Sequence, residues 1–173
     1  LANGEFLLRE LRDERGRWFR SWQADGQPRA RHHALAADHA ALVLAFQRLG
    51  ELTGEARWVH EALRTADTLL DWFWDPSNGG LYTTAEDAET MVVRQKDLVD
   101  NATPSANSMA AHGLLRLAAL TGEQRYANHA DRILQGTPRT LSRHFTHCST
   151  CLVPPAARRA SRRAIRVLNF AAA

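Results

Sequence analysis

The strongest constraint on this chain is an internal repeat. Arg48-Leu49-Gly50-Glu51-Leu52-Thr53-Gly54-Glu55-Ala56-Arg57-Trp58 aligns with Arg116-Leu117-Ala118-Ala119-Leu120-Thr121-Gly122-Glu123-Gln124-Arg125-Tyr126, and Ala62 continues the match against Ala130. Self-similarity at a long offset marks a repeated supersecondary unit that buries its apolar face against its neighbours. Each copy reads as helix, tight turn, helix. In the first copy Leu42, Phe46, Leu49 and Leu52 recur at steps of three or four, and Trp58, Ala62, Ala66, Leu69 and Phe73 do the same after the turn. In the second copy the stripes are Met109, Leu114, Leu117 and Leu120, then Tyr126, Ala130, Ile133 and Leu134.

The Thr-Gly-Glu turns have a physical reason. Gly54 and Gly122 can adopt the left-handed conformation that ends a helix. Glu55 and Glu123 set a negative charge at the positive start of the next one. So short a connection forces antiparallel neighbours, which predicts αα-hairpins at about 38–73 and 104–135.

Two excursions interrupt the helices. In the first, Gly4 to Arg12 is expected to form a short helix, Arg17-Trp18-Phe19-Arg20-Ser21-Trp22 a strand, and Asp25-Gly26 a turn, with Asp38 capping the next helix. In the second, Asp75-Pro76-Ser77-Asn78-Gly79-Gly80 is turn chemistry. The β-prone runs Leu81-Tyr82-Thr83-Thr84 and Met91-Val92-Val93-Arg94 predict a small β-hairpin around the acidic tip Glu86-Asp87-Ala88-Glu89. Thr103 is expected to cap the following helix, with Pro104 as its first residue.

Charge separates a body from a tail. Of the 22 basic residues seven, all arginine, fall in 136–173, where there is no acid; residues 1–135 therefore carry 15 basic and 19 acidic groups, a net of −4 within a chain total of +3. The pI of about 9.4 belongs to the tail and is no nucleic-acid signature, because such a footprint must lie on a folded face. The tail reads as a frameshifted, divergent or disordered end, or as a basic amphipathic helix over Ala156 to Phe170. Its His144, His147, Cys148 and Cys151 are metal-ligand types without a second ligand pair, so no metal is expected. Two cysteines build no disulfide framework. The absence of a signal segment and of an apolar run near the ~20 residues of a membrane span predicts a cytoplasmic protein without membrane contact.

Ala37-Asp38-His39-Ala40-Ala41-Leu42, Leu52-Thr53-Gly54-Glu55-Ala56-Arg57-Trp58, Trp72-Phe73-Trp74-Asp75 with Gly79-Gly80-Leu81-Tyr82, and above all Lys96-Asp97-Leu98-Val99-Asp100-Asn101-Ala102-Thr103-Pro104-Ser105-Ala106-Asn107-Ser108 carry a family resemblance. Residues 1–135 resemble the C-terminal helical domain of thioredoxin-domain-containing proteins related to spermatogenesis-associated protein 20, similar in turn to N-acylglucosamine 2-epimerases and six-hairpin glycosidases. The resemblance implies an all-α fold: a partial (α/α)6 toroid of antiparallel helical hairpins, with β-hairpin excursions building a cleft at one end. A full toroid needs about twelve helices, so the chain is expected to be a fragment that self-associates through uncovered apolar faces. No thioredoxin-like module is present in it. Ala37 and His39 depart from the family's pattern around Asp38.

Asp38, His39 and Asp100 are the candidate catalytic residues: carboxylates and an imidazole suited to proton transfer on a sugar or polyol. Trp22 and Trp74 offer aromatic faces for a sugar ring. Lys96, the one lysine, and Thr103, Ser105 and Asn107 cluster polar groups at a helix start, where ligand oxygens could bind. Each has a plainer role open to it: Asp38 as a cap, Lys96 as a solvated loop charge, the Thr103–Asn107 run as loop fixing. Two functions follow. One is an enzyme-like domain for a small carbohydrate, without a cofactor. The other is a non-catalytic scaffold that binds a partner or supports a missing thioredoxin-like module.

Overall fold

A computed structural model describes residues 1–136 apart from 28 and 89–92. The order is α1 (Ala2–Glu10), β1 (Phe19–Gln23), β2 (Arg29–His33), α2 (Ala36–Thr53), α3 (Ala56–Phe73), α4 (Ala106–Thr121) and α5 (Gln124–Gly136). Among the described residues the fold is mostly helical, with one two-stranded antiparallel sheet. The basic tail and its His/Cys motif lie outside the described residues.

The repeat is reproduced down to single atoms. Gly54 and Gly122 end α2 and α4 at φ of 70° and 76°, and their N–H groups bond back to Gly50 and Ala118. The threonine before each glycine links the two helices of its pair. The Thr53 hydroxyl donates to the Leu49 carbonyl at 2.8 Å and accepts from the Glu55 N–H at 3.1 Å. Thr121 does the same with Leu117 at 2.8 Å and Glu123 at 3.2 Å.

The second helix of each pair buries the face its periodicity predicts. Trp58, Ala62, Ala66, Leu69 and Phe73 of α3 are buried, as are Tyr126, Ala130 and Ile133 of α5. The first helices differ. Their buried stripe is rotated from the expected one, because α2 and α4 pack on each other as well as on their own partners. On α2 the buried residues are Ala36, His39, Ala40, Val43, Phe46, Gln47 and Gly50, while Leu52 is 69% exposed; Leu120, its counterpart on α4, is 50% exposed. Gly113 makes the close crossing possible, since a Cβ there would lie 3.0 Å from Val43 Cγ1. The buried Gln47 amide donates to the Gly113 carbonyl at 2.7 Å.

Both excursions leave from the same end of this layer. The first joins α1 to the start of α2; the second joins the end of α3 to the start of α4. The Ala36 N–H donates to the Thr83 carbonyl at 3.1 Å, and Arg17 pairs with Asp87 at 2.8 Å, so the two excursions touch. The first forms a hairpin pairing Phe19 with His33 and Ser21 with Arg31, with Gly26 at φ 77° in its turn.

Three local expectations are corrected. Leu35, not Asp38, is the N-cap of α2; Asp38 sits three residues further on, where its carboxylate accepts from the Leu35 N–H at 2.8 Å. Ser105, not Thr103, caps α4, its hydroxyl accepting from the Ser108 N–H at 3.1 Å, so Pro104 precedes the helix. Residues 81–84 form no strand. The Leu81 N–H and carbonyl are taken by the Asn107 side chain, and Tyr82 donates to the Phe73 carbonyl at 2.8 Å. The Thr83 N–H donates to the Gln95 carbonyl at 2.8 Å, one residue past the expected 91–94 run, of which residues 91 and 92 lie outside the described residues.

Candidate functional site at the excursion end

The second excursion is organised by three side chains. Asp75 closes a turn by accepting from the N–H groups of Ser77 and Asn78 at 2.9 and 3.1 Å and from the Asn78 amide at 3.2 Å. Lys96 donates to Asp75 Oδ2 and to the Gly79 carbonyl, both at 2.6 Å, with its ammonium 5.1 Å from the Tyr82 ring centre. This lysine holds the Asp75 carboxyl well below the usual carboxylate range. Burial, then the neighbouring Asp75 carboxylate, push the Tyr82 phenol up. Gly79 and Gly80 both have positive φ, 73° and 79°, and backbone or side-chain atoms crowd each: Arg132 O lies 3.0 Å from a Cβ placed at Gly79, Asn107 Oδ1 3.1 Å from one at Gly80.

Asn107 is the third organiser. Its Oδ1 accepts from the Leu81 N–H at 2.7 Å, and its Nδ2 donates to the Leu81 and Asp97 carbonyls at 3.0 and 2.8 Å. The amide thus treats Leu81 as a neighbouring strand would. Around it, Asp100 accepts from the Ser105 N–H at 2.8 Å and Asp97 from the Ala106 N–H at 3.2 Å, which satisfies free donors at the start of α4. Asp100, Ser105 and Asn107 are buried, Thr103 is exposed, and Lys96 is half-buried. The structure therefore places Lys96, Asp100, Ser105 and Asn107 in one loop framework, where their side chains bond mainly to backbone groups and, for Lys96, to Asp75.

Asp38 and His39 share the start of α2 but not an environment. Asp38 is half-exposed, with Arg20 Nε 3.6 Å away. His39 is wholly buried: its Nδ1 lies 2.9 Å from the Leu35 carbonyl and its ring 4.9 Å from that of Phe73. A carbonyl only accepts, so Nδ1 carries the proton, and Nε2 is left without a hydrogen-bond partner. Burial, with Arg17 adding to it, lowers the His39 pKa to about 4. His39 is a neutral core residue rather than a group at a cleft mouth.

The tryptophans are engaged as well. Trp22 packs edge-on against Phe6 at 5.4 Å. Trp74 meets His129 edge-on at 4.6 Å and the Arg132 guanidinium at 5.1 Å. Sequence reasoning missed two arginines. Arg17 is buried, stacks on Trp72 at 4.4 Å and bonds Asp87. Arg94 lies 4.1 Å over the Tyr82 ring and donates to the Thr84 and Trp72 carbonyls at 2.7 and 3.4 Å. Nothing in their spacing marked them; only the aromatic neighbours carried a hint. Among the described residues no group of three or more His, Cys, Asp and Glu side chains could hold a metal, and no helix is long and apolar enough to cross a membrane.

Helical pairs joined by Thr-Gly turns, with both insertions at the opposite end, define a class of helical-hairpin domain. The chain belongs to the N-acylglucosamine 2-epimerase family, whose model matches residues 33–148, about two thirds of it. It is similar to spermatogenesis-associated protein 20 of Mus musculus, at 43% identity over 88 residues, and of Homo sapiens, at 42% over 88. Each alignment covers 50% of this chain and 11% of the relative, so the chain spans about a tenth of the length of these curated relatives.

Proposed function

We propose that this chain is part of a sugar-epimerase-like domain that binds a small carbohydrate or polyol at its excursion end, within a toroid completed by further hairpins. The observation that carries the reading is the meeting of both excursions at one end of the helical layer, through Arg17–Asp87 and Ala36–Thr83, in a member of the epimerase family. Binding sites collect on loops held by a rigid scaffold, and here the scaffold is the α2–α4 layer. In this reading Lys96, Asp100, Ser105 and Asn107 shape the rim, and the half-exposed Asp38 and Tyr82 face the ligand. The assignment is to binding. Epimerisation needs groups that remove and return a proton at one carbon, and of Asp38, His39 and Asp100 only Asp38 has an exposed edge.

Thermal shift of the full chain against mono- and disaccharides tests this. A sugar should raise the melting temperature at millimolar concentration, and Asp38→Asn should shrink that rise. The variant should leave the unliganded melting point nearly unchanged, because Asn can still accept from the Leu35 N–H. Absence of a shift with every sugar would remove the carbohydrate reading.

A further inference from the structure

Two guanidiniums at the excursion end have a single carboxylate partner between them among the described residues. The Arg17 and Arg94 guanidiniums meet at Trp72, one stacked on its ring at 4.4 Å and the other donating to its carbonyl at 3.4 Å. One carboxylate, Asp87, pairs with Arg17 at 2.8 Å. Arg94 pairs with none of the described acids; its bonds go to neutral carbonyls. Both Nε atoms are buried and lack a hydrogen-bond partner. A buried guanidinium with unused donors is costly, because its lost hydration is not replaced. The two partners in the one ion pair also differ. The Arg17 side chain is 5% exposed and fixed by its tryptophan, whereas that of Asp87 is 49% exposed. One side is a prepared receptor, the other a side chain that can swing into solvent.

From this asymmetry we infer that Arg17, with Arg94 beside it, is an anion subsite for the carboxylate of an acidic sugar, and that Asp87 occupies it in the free protein as an internal stand-in. The inference rests on the carbohydrate reading for the rest of the ligand and adds the substrate class. A guanidinium presents paired donors that match a carboxylate edge, and Asp87 already satisfies part of that geometry. A sugar carboxylate arriving on Arg17 displaces Asp87 to water, so the protein's own acid sets a threshold on affinity. No covalent step is involved.

The discriminating variant is Asp87→Asn, which removes the competing charge from an exposed position and keeps a polar group of the same size. The full chain is titrated calorimetrically with D-glucuronate, D-glucose and sodium acetate at matched ionic strength. D-glucuronate should bind more tightly than D-glucose. Asp87→Asn should tighten D-glucuronate by roughly two- to fivefold, the range expected for release of a partly exposed ion pair, and leave D-glucose unchanged. Unchanged or weakened D-glucuronate binding in the variant overturns the subsite, as does equal affinity for the two sugars. If D-glucose binds and D-glucuronate binds no better, the carbohydrate reading survives and the subsite falls. If acetate alone binds, the site takes a bare carboxylate and not a sugar acid, and both the subsite for an acidic sugar and the carbohydrate reading fall.

Discussion

Replacing Asn107 by alanine is the severest test of how the second excursion is held. The side chain supplies three hydrogen bonds, at 2.7, 3.0 and 2.8 Å, and its partners are backbone groups of Leu81 and Asp97. Leu81 is fully buried, so its N–H and carbonyl gain no water when the amide is removed. Each buried group left unpaired costs about 1–3 kcal/mol. With two such groups at Leu81, the substitution should cost about 2–6 kcal/mol, a large part of the ~5–15 kcal/mol that holds a typical domain together. At ~2–4 °C per kcal/mol for a chain of this size, the melting point should fall by about 4–24 °C. Urea and thermal unfolding followed by far-ultraviolet circular dichroism measure this. Asn107→Asp should also be costly. It retains an acceptor for the Leu81 N–H but removes both donors and sets a carboxylate against two carbonyls. Thr103→Ala, at an exposed neighbour, should stay within about 0.5 kcal/mol of the parent. If Asn107→Ala lay within that margin too, the amide would not be the clamp described, and the excursion would be held by other contacts.

Two further outcomes follow from named contacts. His39 has a folded pKa of about 4 against an ordinary 6.5, so the unfolded chain takes up a proton there first. Its contribution to stability is whole above pH 6.5, declines as pH falls toward 4, and amounts to about 3 kcal/mol across that window; a His39→Gln variant should show a flatter stability profile between those pH values, and an unchanged slope would refute the assignment. Gly113→Ala would favour an isolated helix by about 1 kcal/mol, yet its Cβ would stand 3.0 Å from Val43 Cγ1, so net destabilisation of about 1–3 kcal/mol is expected in urea unfolding, and a net gain would show that α2 and α4 can part at no cost.

Much of the helical layer was legible because local rules and packing agree there. The Thr-Gly-Glu turns encode their own stop and restart, and α3 and α5 each have one partner layer, so a single apolar stripe marks the buried face. The first helices of the pairs were harder. Alanines and leucines surround α2, and a helix packed on two sides shows no unique stripe; Gln47 and His39 are in the core, while Leu52 is out. That two-sided packing depends on Gly113, some 66 residues away from Gln47, and no local pattern reports such a contact.

The polar residues show a different limit. In the sequence Lys96, Thr103, Ser105 and Asn107 read as ligand groups, and Asp100 as a catalytic one, because polar side chains gather before a helix start. The same chemistry that would bind a substrate oxygen also binds a backbone carbonyl or N–H, and composition cannot tell which partner a side chain has. A backbone of some thirty residues between α3 and α4 carries its own donors and acceptors, and burial of part of it demands partners. Asn107, Asp100 and Lys96 meet that demand at Leu81, Ser105 and Gly79. The informative signal is therefore not where polar groups gather but where, after the backbone is satisfied, donors remain unused. That criterion is met at this end by Arg17 Nε and Arg94 Nε beside Trp72, and also by Trp18 Nε1, Trp22 Nε1 and Arg31 Nε, and it is not met by the loop run before α4.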